Sequence, residues 1–242
     1  MGEDQLRAIV RRNLERVRAE VANAAAEAGR DAAEITLVGV SKYVDATATA
    51  VLVDAGLCDL GEARPQQLWD KASDPRLAPM APVRWHLIGH LQRNKADRTV
   101  PLAALVHSVD SGRLLAAVDK AAAAAGKRQA VLLEINCSGD SEKYGLAPAE
   151  AIDLVEQAGG MAGVSLQGLM TMGAREGGTT VARRNFADLR ELRDNLVSES
   201  GVTLPILSMG MSGDFREAIL EGATHVRIGS ALWTGVDPWS RQ

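Results

Sequence analysis

A lysine that closes an apolar run is the residue in this chain with the clearest capacity for covalent chemistry. In Val38-Gly39-Val40-Ser41-Lys42 the amine follows residues of strand type, and strands covered by helices usually carry continuous apolar runs. Facing into a barrel mouth, the Lys42 ammonium would be partly desolvated, which disfavours its charged form and lowers its pKa from about 10.4. A neutral amine is what attack on an aldehyde requires. Taken alone, the same residue reads more readily as a strand-end lysine reaching to solvent.

Two later segments have the composition of an anion site. Leu207-Ser208-Met209-Gly210-Met211-Ser212-Gly213-Asp214 places glycines and small residues between a strand and a helix. Backbone N–H groups at such a helix start attract anions, and Ser208 and Ser212 add hydroxyl donors. Val226-Arg227-Ile228-Gly229-Ser230 repeats the arrangement at Gly229 and Ser230. In a (β/α)₈ barrel the loops after strands seven and eight commonly hold a phosphate, so the two together say more than either alone. Ordinary turns, which also use glycine, are the alternative. Arg227 alternates with Val226 and Ile228 and leaves the strand on the opposite face. If those two pack against outer helices, Arg227 points inward. A buried guanidinium needs an acceptor, either a ligand or a barrel carboxylate such as Glu62 or Glu134.

His86 and His90, within Trp85-His86-Leu87-Ile88-Gly89-His90-Leu91-Gln92-Arg93-Asn94-Lys95, have helical zinc-ligand spacing. The segment reads as strand then turn, however, and Leu87 stands where a zinc-protease helix carries Glu. A strand-end histidine that bonds within the wall is the better reading. Cys58 and Cys137 are far apart and form no CxxC pair, so neither a metal site nor a disulfide framework is expected. No Ser/His/Asp grouping, Walker motif or GxGxxG motif stands out.

These residues need elements to hold them. Residues 4–28 read as one helix, with Leu6, Ile9, Val10, Leu14, Val17 and Val21 at helical spacing and Gly29 as its stop. Beyond it, strands are expected at Ile35–Ser41, Leu57–Gly61, Arg84–Gly89, Leu105–Val109, Gln129–Asn136, Ser165–Met170, Pro205–Met209 and His225–Gly229. Helical segments fall near 46–55, 64–73, 91–98, 111–125, 148–158, 179–199 and 214–221, with Asp45, Ser111 and Asp214 as caps. Eight strands alternating with helices, without a long linker, predict an α/β fold: one domain over 1–242, a (β/α)₈ TIM barrel with an extra N-terminal helix. An open doubly wound sheet would use the same units.

The 242 residues suit one such barrel, and 46% hydrophobic with 24% charged residues is ordinary for a soluble protein. A net charge of −4 with scattered basic residues argues against nucleic acid as a partner. No apolar stretch approaches the ~20 residues of a membrane span, and the first residues show no signal pattern. A reduced, cytoplasmic protein without a membrane partner is the expectation.

In order along about residues 35–235, Val40-Ser41-Lys42, Gly61-Glu62, the Trp85–Lys95 block, Gly168-Leu169-Met170, Leu207–Ser212 and Val226–Ser230 resemble the pyridoxal-phosphate homeostasis proteins. These are single-barrel relatives of the N-terminal domain of alanine racemases. The resemblance implies the racemase-type barrel and pyridoxal 5′-phosphate as cofactor, held as a Schiff base on Lys42. It also implies a phosphate bound by Ser208, Ser212, Gly229 and Ser230, with Arg227 beside the pyridine nitrogen. It implies a role in vitamin B6 homeostasis, with pyridoxal-phosphate-dependent apoenzymes as acceptors and a monomer or weak dimer as the assembly. Where the family has Gly-Glu-Asn, this chain has Gly61-Glu62-Ala63. That removes a polar group from near the cofactor, for which Asn136 could partly substitute. Lys143 matches a frequent family lysine, a second aldehyde acceptor or a solvated loop residue.

Catalysis with this cofactor depends on the ring as an electron sink. An arginine, which does not give up its proton, would leave the ring nitrogen unprotonated. Racemases of this fold use a second base, a tyrosine from a separate β-domain. The tyrosines here are Tyr43 and Tyr144, and Tyr43 should point to the opposite face from Lys42. The expectation is a binder and carrier without catalytic residues. An amino-acid racemase, or a Schiff-base lyase for sugar phosphates, is the alternative.

Overall fold

Short runs, most of them rich in Val, Leu and Ile, form the eight strands. They are β1 (Thr36–Val40), β2 (Asp59–Glu62), β3 (Arg84–Leu87), β4 (Ala103–Val109), β5 (Gln129–Glu134), β6 (Val164–Met170), β7 (Ile206–Met211) and β8 (His225–Ile228). The computed structural model describes residues 2–77, 80, 82–139, 144–174 and 176–236. Each strand pairs in parallel with the next, and β8 returns to β1 with Ile228 opposite Gly39, so the sheet is a closed barrel in chain order. The helices are α1 (Glu3–Glu27), α2 (Ala46–Asp54), α3 (Pro65–Ala72), α4 (Ala96–Thr99), α5 (Gly112–Ala124), α6 (Ala151–Gly159), α7 (Gly178–Ser200) and α8 (Phe215–Leu220).

Local chemistry sets the boundaries. The Asp45 carboxylate accepts the Ala48 N–H, 2.8 Å away, at the start of α2, and Ser111 caps α5 through the Leu114 N–H. Asp214 precedes α8 but caps nothing with its side chain, which turns back to accept the Met211 N–H at 2.6 Å. Gly29 follows α1 with φ of 67°, the left-handed conformation that ends a helix at no steric cost. The expected helix over 91–98 is shorter: a 3₁₀ turn, Arg93–Lys95, runs into the single turn of α4.

The helix ring explains the N-terminal helix. Helices α2 to α8 follow β1 to β7 in order, and α1 packs against both α8 and α2, in the position a helix after β8 would take. Leu6, Val10, Leu14, Val17 and Val21 form its buried stripe. The buried Asn13 side chain donates to the carbonyls of Leu232 (2.9 Å) and Thr234 (2.8 Å), tying α1 to the segment that leaves β8.

Strand alternation sorts side chains into two layers. Leu37, Leu60, Leu133, Leu207 and Val226 face the helices and join the main core with Leu14, Leu52 and Phe186. Inside the barrel, Leu105, Leu132 and Met170 form a small apolar cluster. Much of the remaining interior is polar, with His86, His107, Ser208 and Arg227 all buried. Barrels of this type normally fill that space with branched apolar residues, so the polar portion calls for a functional explanation.

Candidate functional site

The barrel's C-terminal face brings together the ends of β1, β7 and β8. On β1, Val38 and Val40 lie against Gly61 inside the barrel, while Leu37 faces the helices. The same alternation carries Lys42, two residues past Val40 and half-buried, to the inner side. The strand ends at Val40, and residues 42–43 form a turn. Tyr43 therefore does not take the opposite face as a strand residue would. It is exposed, and its ring centroid lies 4.8 Å from the Lys42 Nζ.

β8 ends beside this point. A Cβ placed on Gly229 would sit 3.5 Å from that of Val40, and the Trp233 indole donates to the Val40 carbonyl at 2.7 Å. The N–H groups of Gly229 and Ala231 converge on one atom, the Ser212 hydroxyl oxygen, at 3.2 and 3.3 Å. Two backbone donors aimed at one point make a compact anion nest. The exposed Ser230 lies between them in sequence. Gly210 shapes the approach from β7. It has a φ of 91°, and an added Cβ would stand 2.6 Å from that of Ala218 and 2.9 Å from the Phe215 Cα, so no other residue fits.

Ser208 lies elsewhere than Ser212. Leu207 and Met209 face the helices, so Ser208 points into the barrel and is fully buried. Its hydroxyl accepts from the Arg227 guanidinium at 2.7 Å and lies 2.8 Å from the His107 Nδ1. Arg227 points inward as its flanking residues demand, with Val226 and Ile228 in the outer core. Its second amino group donates to the Thr171 carbonyl at 2.9 Å. Burial lowers its pKa from the ordinary guanidinium value to about 10, opposed by Glu134 and Asp214. The guanidinium is thus held by a hydroxyl and a carbonyl rather than by Glu62 or Glu134.

Glu62 lies on the outer side of the barrel wall, fully buried. One of its oxygens accepts from the Ser41 hydroxyl at 2.7 Å and from the Lys71 ammonium, which also donates to the Ser41 carbonyl at 2.7 Å. Burial holds the Lys71 pKa below its ordinary value, against the pull of Glu62. The other oxygen, Oε2, has no hydrogen-bond partner among the described residues. This cluster fixes the residue immediately before Lys42.

Glu134, at the end of β5, shares the inner side with Leu132. Burial, reinforced by Asp110 and opposed by Arg227, pushes its pKa up from 4.5 to about 7. A carboxyl whose folded pKa is raised favours the folded state fully below its unfolded value, and that contribution is lost as pH rises through the folded pKa. Glu134→Gln is therefore expected to stabilise the protein at pH 8 relative to wild type, by at most about 3 kcal/mol, and to change little at pH 4. Urea unfolding at both pH values measures this. A gain of equal size at both would refute the assigned titration.

The remaining expectations concern the rim. Ala63 packs its backbone against Gly89, whose added Cβ would lie 2.2 Å from the Ala63 carbonyl oxygen. The Asn136 side-chain oxygen accepts from the Ser138 N–H and hydroxyl, at 3.2 and 2.9 Å, and so shapes its own turn. His90 lies on the rim, 3.2 Å from Asp110 and stacked on Tyr144. His86, its neighbour in the motif, lies inside the barrel with its ring nitrogens facing His107 and Asp59. Lys143 lies outside the described residues. Both cysteines are free thiols. No helix among the described residues is long and apolar enough to cross a membrane.

Sequence reasoning missed Asp59 and His107. His107 is a lone polar residue on the inner parity of a mostly apolar strand, and Asp59 opens the short strand Asp59–Glu62. That is a weak signal, and only the closing of the barrel gives it meaning.

Comparison with known proteins agrees with this geometry. Residues 7–237 match the family described as the alanine racemase N-terminal domain. The pyridoxal phosphate homeostasis proteins of Aquifex aeolicus and Pseudomonas aeruginosa are each 37% identical, over 91% and 93% of this chain and 95% of their own. The solved structure of PipY from Synechococcus elongatus, with pyridoxal phosphate bound, superposes with a TM-score of 0.82 at 29% identity, over 92% of this chain and 99% of that one. An alanine racemase from Clostridium difficile shares the fold at a TM-score of 0.71 and 18% identity, over 93% of this chain and 56% of that one. With near full-length coverage on both sides and the strand-end residues in their expected order, the chain belongs to the pyridoxal phosphate homeostasis protein family, within the alanine racemase N-terminal domain group.

Proposed function

We propose that this protein binds pyridoxal 5′-phosphate at the C-terminal face of the barrel, with Lys42 as its covalent anchor, and holds it reversibly for release to apoenzymes. The observation that carries the reading is the anion nest of Gly229, Ala231 and Ser212 standing against Val40, two residues from Lys42. An amine and a phosphate cradle on adjacent strand ends suit a small aldehyde that carries a phosphate. The binding of pyridoxal phosphate by PipY, in the same fold over nearly all of its length, supports it.

The bound cofactor supplies an aldehyde that a neutral amine attacks, with loss of water, to give a reversible Schiff base. Every other part is played by the chain. Lys42, once deprotonated, is the nucleophile. The N–H groups of Gly229 and Ala231, with Ser212 and Ser230, hold the phosphate, the Ser212 hydroxyl turning from acceptor to donor. Ser208, inside the barrel, acts through Arg227, whose guanidinium it fixes from behind. Arg227 then lies toward the ring nitrogen as a permanent donor, which keeps a proton off that nitrogen and weakens the ring as an electron sink. The site therefore favours retention over turnover.

The test is the absorbance spectrum of purified protein before and after borohydride, followed by peptide mapping. The expected result is a yellow protein whose reduced adduct maps to Lys42, without racemisation of alanine. A protein that stays colourless with added pyridoxal phosphate would refute the reading. Turnover of D- or L-alanine would move it to the racemase class.

A further inference from the structure

The polar groups inside the barrel form one continuous line. The Asp59 carboxylate, at the start of β2, lies 3.0 Å from the His86 Nε2. The His86 Nδ1 lies 2.9 Å from the His107 Nε2, and the His107 Nδ1 lies 2.8 Å from the Ser208 hydroxyl, which accepts from Arg227. The line crosses β2, β3, β4, β7 and β8. It begins at the barrel's opposite end, where Asp59 and Arg84 pair beside a cavity of roughly 590 Å³.

With both rings neutral, the acceptor at the Asp59 end fixes the direction of every bond in the line. Arg227 can only donate. Asp59 can only accept, because bonds from His86 and Arg84 overcome its burial and hold its pKa at about 2. The His86 Nε2 must therefore carry a proton toward Asp59. With both rings neutral, the His86 Nδ1 accepts from the His107 Nε2–H, the His107 Nδ1 accepts from the Ser208 hydroxyl, and the Ser208 oxygen is left to accept from Arg227. No donor faces a donor. A charged His86 would reverse the middle of the line. His107 would then donate to Ser208 from Nδ1, and the Ser208 oxygen would receive two donors while its own proton lost that acceptor. Full burial pushes the His107 pKa well below its ordinary value, and the Arg227 charge acts in the same direction. The His225 ring lies 6.1 and 6.2 Å from the His86 and His107 rings and is itself held at about 4 by burial.

We propose that Asp59, His86 and His107 are positioning residues for the cofactor, a one-way hydrogen-bond chain along the barrel interior that presents the Ser208 oxygen to Arg227 and fixes the guanidinium under the ring nitrogen. The link to the ring rests on the reading of Arg227 given above, whereas the direction of the chain does not. An interior filled with apolar residues would be at least as stable, so stability alone does not account for the line.

The test has one arm free of cofactor. Long-range ¹H–¹⁵N correlation on histidine-labelled protein at neutral pH is expected to show His86 and His107 both protonated at Nε2 and bare at Nδ1. A proton on the Nδ1 of either ring would overturn the proposal, and this measurement on wild type needs no variant to fold. In the second arm, His107→Leu removes the acceptor of the Ser208 hydroxyl, while His107→Gln keeps a donor and an acceptor. His107→Leu is expected to release pyridoxal phosphate about tenfold faster, the upper end for the loss of one hydrogen bond between neutral groups, and to shift the absorption maximum of the bound form. His107→Gln is expected to stay within about threefold of wild type, by the same reasoning for a retained bond. Equal retention and equal spectra for His107→Leu and wild type would refute a positioning role. A wild type with the expected tautomers that takes up no pyridoxal phosphate would sink the proposed function and leave the chain standing.

Discussion

Replacing Lys42 with alanine should abolish the borohydride-trappable adduct while leaving the fold intact. Lys42 is half-buried and lies in the turn beyond β1, with its Nζ near an exposed ring, so its loss opens no core cavity and should move stability by less than about 1 kcal/mol. Non-covalent binding through the nest should persist, because Gly229, Ala231 and Ser212 do not depend on the lysine. The expected signature is a protein that still retains pyridoxal phosphate on a desalting column, more weakly than wild type. Its spectrum should be that of the free aldehyde, and no label should remain after reduction. An adduct of undiminished yield in Lys42→Ala would reassign the anchor, with Lys143 the first residue to map. Lys42→Arg should behave like the alanine variant, since a guanidinium keeps its charge while resembling the lysine in length.

The second large effect is expected at Lys71, on α3. Lys71→Met should cost about 3–5 kcal/mol, because it leaves the Glu62 carboxylate buried without its cation. Glu62 is fully enclosed, and one of its oxygens already lacks a hydrogen-bond partner among the described residues, so nothing nearby replaces the ammonium. The double variant Lys71→Met/Glu62→Leu should recover most of the loss, since apolar pairs of similar volume often replace buried ion pairs without penalty. Urea unfolding of the two single variants and the double variant measures both numbers. A loss below about 1 kcal/mol in Lys71→Met would mean the pair contributes no more than a surface ion pair. The same cluster holds Ser41 by its hydroxyl and its carbonyl. The single variant should therefore also slow the trapping of Lys42, at temperatures where it remains folded.

Both effects concern residues that differ in how far the sequence reveals them. The barrel was legible because its rules are local. Eight apolar runs between capped amphipathic segments fix the strand count, and a two-residue alternation fixes which side chains share a face. Val226 and Ile228 in the outer core, and hence Arg227 inside, follow from that alternation alone. The strand-end motifs at Lys42, Ser212 and Gly229 were legible for the same reason, since a glycine or a serine at a strand end has a local geometric meaning.

Tertiary structure decided what depends on partners distant in sequence. Tyr43 lies beside Lys42 because β1 stops two residues before it, and alternation has no force beyond a strand. Ser208 and Ser212 read as one motif, yet parity sends the first to Arg227 and His107 in the interior and leaves the second at the nest. Helix α1 takes the place beside α8 and α2 because ring closure leaves a strip of barrel wall uncovered there, a need no window of sequence displays. Asp59, His86 and His107 come from three strands and carry no shared spacing. Sequence alone determined that neighbouring strand side chains take opposite sides of the barrel wall, as at Val226, Arg227 and Ile228. Which of the inward residues meet, and so which hydrogen bonds remain for a ligand, was decided by barrel closure, because a side chain's partners inside a barrel lie across its axis rather than along its strand.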